Sequence, residues 1–326
     1  MKNGINRIKC LLGAGAVLLL SSCGQMFNSK PSAASELSYL VIETNNERVL
    51  FAQNANERKN IGMLANVATA VVIADWIQAR NISLDTMLTV PVQACQWPDT
   101  NLLHLSPGDK ISLRDALHSA LMWDDSAATT TMAWECGKSL HPADPEGAFL
   151  LQLETLASQT LGMKQAHFRG LSGAVKSSAS ARDMVLLGTY AIEKPLIQAI
   201  CSKYSYTATI TARNGSVRHV QINNTNRLLG AQGVDGLRAA ASGSAGYCLM
   251  ASARRGSYKA ANPAHAENKQ ATYAQRLLVV ILGMPNANHR DNKAAALLRD
   301  GWKSWEIWQK TSDMTDQSKF IRLPKH

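Results

Sequence analysis

Two carboxylates stand side by side at Asp124 and Asp125, between Trp123 and Ser126 in an otherwise apolar stretch, and paired carboxylates are the equipment of general acid–base catalysis. Neighbouring residues on a helix point apart, so the same pair also reads as a helix cap or as solvated surface. Hydroxyls cluster in two glycine-rich runs, Gly170-Leu171-Ser172-Gly173 and Ser242-Gly243-Ser244-Ala245-Gly246. Neither has the Gly-x-Ser-x-Gly spacing of a nucleophile on a strand-to-helix elbow, and both read as flexible turns. Cys95, Cys136, Cys201 and Cys248 form no Cys-x-x-Cys pair; they read as isolated small hydrophobes, with a disulfide as the alternative. No histidine pair has the helical spacing of metal ligands, and neither a metal nor another cofactor is expected.

One further cysteine carries a different chemistry. Lys2, Arg7 and Lys9 precede an apolar stretch from Leu11 to Leu20 and then Ser21-Ser22-Cys23, the layout of a secretory signal over residues 1–22. Leu20-Ser21-Ser22-Cys23 also resembles a bacterial lipobox, which implies acylation of Cys23 and anchoring in a lipid bilayer at about 0.8 kcal/mol per buried CH₂. The alternative is an ordinary signal peptide with a chance cysteine. Gly24 after the cysteine implies, by the same resemblance, the outer membrane, facing the periplasm, if the cell is diderm. Residues 23–36, rich in Ser, Ala, Asn and Pro, read as a flexible tether.

The elements that must position any site are legible in outline. At 46% hydrophobic and 18% charged, the 326 residues can bury a large core. The formal charge of +10 falls to +7 without the signal; it reads as a solvated basic surface or as attraction to anionic envelope polymers, and nothing points to nucleic acid. Leu37–Glu43 and Arg48–Gln53 form a predicted hairpin. From Gly62 to Arg80, Met63, Val67, Ala70, Val71, Ala74 and Ile77 recur at helical spacing. Further helical patterns cover Leu113–Cys136, Gly147–Gly162, Ser180–Ile192 and Asp291–Gln309. Strand character marks Tyr204–Ala212, Val217–Asn223, Tyr247–Ala253 and Leu277–Met284, with a polar connection at 256–275. The expected fold is α+β: an antiparallel sheet built from N- and C-terminal strands and flanked by helices, with an all-helical lobe inserted at about 84–165 and a cleft between.

In this order the segments YLVIETNNERVLFAQNANERKNIG, LSPGDKISLRDALHSALM, SASARDMVLLGTYAIEKPLIQAI, NTNRLLGAQGVDGL, AGYCLMASARR and VVILGMP resemble the serine-type D-alanyl-D-alanine carboxypeptidases of peptidase family S11, the low-molecular-weight penicillin-binding proteins. The resemblance runs from about Tyr39 to Trp308 and implies a β-lactamase-like domain over 37–310, followed by a tail at 311–326. The tail is too short for the β-rich domain that many members append.

The family's activity rests on three motifs, Ser-x-x-Lys, Ser-x-Asn and Lys-Thr-Gly. The resemblance places Met63 and Asn66 at the first motif's serine and lysine, Asp124-Asp125-Ser126 at the second (or Trp123-Asp124-Asp125 with a one-residue shift), and Arg238-Ala239-Ala240 at the third. A thioether is no nucleophile and an amide accepts no proton near neutral pH. The main-chain amides of Met63 and Ala241 remain as oxyanion donors, and Arg238 is either a ligand carboxylate binder or the partner of Asp124 or Asp125.

The reading is a pseudoenzyme: a lipid-anchored envelope protein that binds peptidoglycan stem peptides or a partner enzyme, with Met63, Arg238 and Ala241 as the ligand-binding positions. One alternative is a serine hydrolase acting on peptidoglycan whose nucleophile has moved to Ser126 or Ser242, helped by Asp124 or Asp125. Another is a stable body on a lipid anchor with no ligand in its cleft.

Overall fold

The computed structural model describes residues 37–45, 47–259 and 272–311. The predicted signal, Cys23, the tether and the tail beyond residue 311 lie outside them. The described residues begin with three β-strands, β1 (Ser38–Glu43), β2 (Arg48–Gln53) and β3 (Lys59–Asn60), and a 3-10 turn at Gly62–Leu64 leads into α1 (Ala65–Arg80). Then come β4 (Met87–Thr89), β5 (Lys110–Ser112), α2 (Leu113–Met122), α3 (Ser126–Leu140) and α4 (Pro145–Glu154), the last continued by a π turn at Thr155–Thr160. The C-terminal half runs β6 (Ser178–Ala179), α5 (Ala181–Ile192), α6 (Pro195–Cys201), β7 (Ser205–Thr211), β8 (Val217–Asn223), β9 (Val234–Ser242), β10 (Gly246–Lys259), β11 (Thr272–Met284) and α7 (Ala287–Thr311).

The main sheet has the order β2-β1-β11-β10-β9, every pair antiparallel, so that strands from both ends of the chain meet at β1 and β11. The central strand β11 explains why LLVVILGM is apolar without alternation. Leu278, Val280 and Leu282 face the core that includes α1 and α5, while Leu277, Val279 and Ile281 pack with Leu298 and Trp302 of α7. A strand covered on both faces has no polar face to show. With its leading 3-10 turn, Gly62–Arg80, α1 is long and apolar enough by composition to cross a bilayer, yet Ala65–Ala74 are all buried, and it is the central helix of the core.

The structure redraws three local expectations. β7 and β8 leave the main sheet and form a second one with the two short strands of the insert, in the order β4-β5-β7-β8. The insert is therefore not purely helical. Ala208, Ile210 and Ile222 turn inward against the same core as α2, and three-residue strands such as β4 and β5 are too short to show an alternation. The continuous helical pattern at Leu113–Cys136 is broken, because Asp124 takes φ +59° and Asp125 turns extended to cap α3, its carboxylate accepting from the Ala128 N–H at 2.6 Å. β10 and β11 outrun their apolar segments: Arg254 pairs with Arg276 and Arg255 with Gln275, a ladder that needs only backbone groups. Of the expected polar connection, 260–271 lie outside the described residues.

Candidate functional site

α1 begins where β3 hands over to the 3-10 turn, and the local chemistry fixes its approach. The Asn60 carboxamide accepts from the Gly62 N–H at 2.9 Å and donates to the Ser244 hydroxyl at 2.8 Å. Gly62 sits at φ +49°, where a Cβ would fall 2.4 Å from the Ser242 Oγ, so a side chain here is barred by both backbone and space. Met63 follows, 2% exposed.

What closes over Met63 is the segment 171–173, held by two bonds to the first turns of α1. The Asn66 Oδ1 accepts from the Gly173 N–H at 2.7 Å, and the Thr69 hydroxyl donates to the Leu171 carbonyl at 2.9 Å. Asn66 is wholly buried, and its Nδ2 has no hydrogen-bond partner; an amide flip would set it against another N–H donor and gain nothing.

From the other side comes β9. Arg238 is wholly buried; its Nε donates to the Met63 carbonyl at 3.2 Å, Nη1 to the Ala120 carbonyl and Nη2 to the Asp124 carboxylate. Of the two roles open to Arg238 in the sequence, this arrangement is the ion pair with Asp124. With no solvent exposure, the guanidinium offers no N–H to a ligand carboxylate from outside. Burial pushes the Asp124 carboxyl upward, against the opposing pull of Arg238.

The remaining positions are placed as follows. Asp125 and Ser126 begin α3 and face the segment 100–103: Asp125 Oδ2 accepts from the Leu103 N–H at 2.7 Å, and the Ser126 hydroxyl donates to the Thr100 carbonyl at 3.0 Å. The Ser242 hydroxyl accepts from the Ala245 N–H at 3.1 Å. Neither serine bonds to a lysine, histidine or carboxylate among the described residues. Ala239 and Ala240 are buried along β9 opposite Leu249 and Cys248, and Ala241 is exposed. The site therefore joins Met63, Asn66, Asp124 and Arg238, whereas Ser126 and Ser242 are tied to their own surroundings. Thr69, Thr100 and Gly173 complete it, and no spacing in the sequence singles them out. Cys95, Cys136, Cys201 and Cys248 are free thiols, and among the described residues no group of three His, Cys, Asp or Glu could hold a metal ion.

Two buried titratable groups give this region opposing pH responses. The His118 Nδ1 donates to the Arg114 carbonyl at 2.8 Å, its Nε2 accepts from the Lys203 ammonium at 3.1 Å, and the ring stacks on Tyr206 at 3.6 Å, which together require a neutral imidazole. Burial, with the Lys203 charge acting the same way, takes its pKa from 6.5 to about 4; burial, opposed by the amides of Ala128 and Leu103, takes Asp125 from 3.8 to about 6. Between pH 6.5 and 4 the unfolded chain protonates His118 and the folded one does not, so acidification costs stability. Between pH 6 and 3.8 the folded chain protonates Asp125 first, so acidification adds it. At about 3 kcal/mol each the two nearly cancel. His118→Gln is expected to remove the first alone, so that urea unfolding gives a stability rising relative to wild type as pH falls from 6.5 to 4. Parallel pH curves for the two proteins would contradict this assignment.

Comparison with known proteins bears on the family and the fold. The family model described as D-alanyl-D-alanine carboxypeptidase matches residues 25–262. The D-alanyl-D-alanine carboxypeptidase of Streptomyces sp. strain K15 is 24% identical over 235 residues, 70% of this chain and 79% of its own. DacC of Escherichia coli K12, of the same description, is 26% identical over 280 residues, which are 82% of this chain and 62% of that relative, so the match spans less than two thirds of its length. The crystal structure of the Streptomyces K15 DD-transpeptidase superposes with a TM-score of 0.66 at 20% identity, covering 80% of this chain and 94% of that one, which establishes a shared fold.

Proposed function

We propose that this chain, which belongs to the D-alanyl-D-alanine carboxypeptidase family, is a non-catalytic, lipid-anchored envelope protein that uses the family fold as a binding or scaffold body. The observation that supports this reading is Met63, a thioether at the family's nucleophile position, buried beneath Gly173 and backed by an arginine already engaged inside the protein. Loss of the nucleophile alone costs serine hydrolases about 10⁶ in turnover. Here Asn66, in the place of the basic lysine, ties down the covering segment instead. A stem peptide needs an open cleft beside a free cation, so the filled site favours a partner enzyme, recognised on the outer surface, over a peptide ligand. Anchoring through Cys23 would hold that body at the membrane.

One experiment tests both parts. Membranes carrying the protein are treated with fluorescent penicillin, and the expected outcome is no labelled band at its mass although an antibody detects it there. With Cys23→Ser the antibody signal is expected in the soluble fraction. A covalent penicillin adduct on the wild-type chain would overturn the non-catalytic reading. Release of D-alanine from a pentapeptide, lost on Ser126→Ala or Ser242→Ala, would replace it with a displaced nucleophile. A Cys23→Ser chain still bound to membranes would remove the lipid anchor.

A further inference from the structure

At its far end α1 forms part of a second site. Arg80 lies seventeen residues beyond Met63, about 25 Å along the helix axis. There a cavity of about 270 Å³ opens between α1, α3, the π turn and α5, walled by Val72, Trp76, Leu140, Leu156 and Tyr190. It has room for about nine waters. Two charged side chains line it, and they differ in state. The Asp75 carboxylate is neutralised, with Oδ1 taking the Lys194 ammonium and Oδ2 the Tyr190 hydroxyl at 3.1 Å. The Arg80 guanidinium is exposed, and among the described residues it has neither ion pair nor side-chain hydrogen bond.

We propose that this cavity binds a small amphipathic carboxylate, its apolar body of about ten heavy atoms against Trp76, Leu140 and Leu156 and its headgroup on the Arg80 guanidinium. A guanidinium fork suits a carboxylate bidentately, and the apolar wall adds an area-proportional gain that a bare inorganic anion lacks. Among the described residues no second anion competes for Arg80: Asp75 is held by Lys194, and the Cys136 thiol in the wall is pushed up to about 12 by burial, against the pull of Arg80, and stays protonated. The π turn at Thr155–Thr160 lines the cavity with Thr155, Leu156 and Thr160, the Thr155 hydroxyl donating to the Leu151 carbonyl at 2.8 Å. The site is independent of the proposed loss of catalysis, since it uses none of Met63, Asn66, Asp124 or Arg238.

The test is calorimetric titration of the full chain with octanoate, 3-phenylpropionate and the neutral 1-octanol. At least one carboxylate is expected to bind one-to-one at least tenfold more tightly than octanol, and the tighter of the two tells whether the body is aliphatic or aromatic. Arg80→Ala is expected to weaken that carboxylate at least tenfold and leave octanol unchanged, with Arg80→Lys intermediate. Equal binding of the acids and the alcohol, an Arg80→Ala chain that binds the carboxylate as wild type does, or no binding of any of the three would overturn the proposal.

Discussion

Asp124→Ala is expected to lower the unfolding free energy by about 3–5 kcal/mol, because it leaves a wholly buried guanidinium without its counter-charge. The same pair cut from the other end should cost less. Arg238→Met fills a similar volume with apolar atoms, and the Asp124 side chain it abandons is 18% exposed and can reach water. What Arg238→Met gives up is the bonding of the Met63 and Ala120 carbonyls, each a hydrogen bond to a charged group. Asp124→Asn, which keeps an acceptor but not the charge, should fall between. The combination Arg238→Met with Asp124→Ala is expected to be more stable than Asp124→Ala alone, since the stranded charge is gone. Urea unfolding of the wild type and the four variants reads all these differences. A double variant no more stable than Asp124→Ala would mean that the pair is not the unit described.

The second large effect is expected at Gly173. A Cβ there would lie 2.4 Å from the Met63 Cα and 2.6 Å from the Gly62 carbonyl oxygen, both backbone atoms that no rotamer change can move aside. Gly173→Ala must lift the segment 171–173 from α1, with loss of the bonds to Asn66 and Thr69, at a cost of about 3 kcal/mol. It should also uncover Met63. Treatment with dilute hydrogen peroxide, followed by mass spectrometry of the Met63 peptide, is expected to find the wild-type thioether protected and the Gly173→Ala thioether converted to sulfoxide. Equal oxidation in both proteins would show that the segment is not what covers Met63.

The variants at Asp124, Arg238 and Gly173 probe how this region is held together. Where α1, the start of α3 and β9 meet, Arg238 turns to Asp124, Asn66 to Gly173 and Ser126 to Thr100. At these three positions the side chain ties one segment of the fold to another, and the region contributes to the stability of the fold.

The sequence by itself determined the parts whose cause is local or additive. The 3.6-residue spacing from Gly62 to Arg80 is answered by α1, and LLVVILGM, apolar at every position, by a strand buried on both faces. The types Met63 and Asn66 are read off one dimension, and their inability to attack or to accept a proton follows from functional groups alone. Tertiary structure decided what depends on partners far along the chain. Whether Arg238 meets a ligand or Asp124 rests on how β9 is set against the break between α2 and α3, residues 114 apart in sequence, and that break exists because Asp125 found a helix end to cap. Whether Met63 lines a cleft or a core rests on Gly173, whose missing side chain matters only once a backbone passes within contact distance. The membership of β7 and β8 in a second sheet has the same origin, since alternation says which face of a strand is buried but not which strand lies beside it.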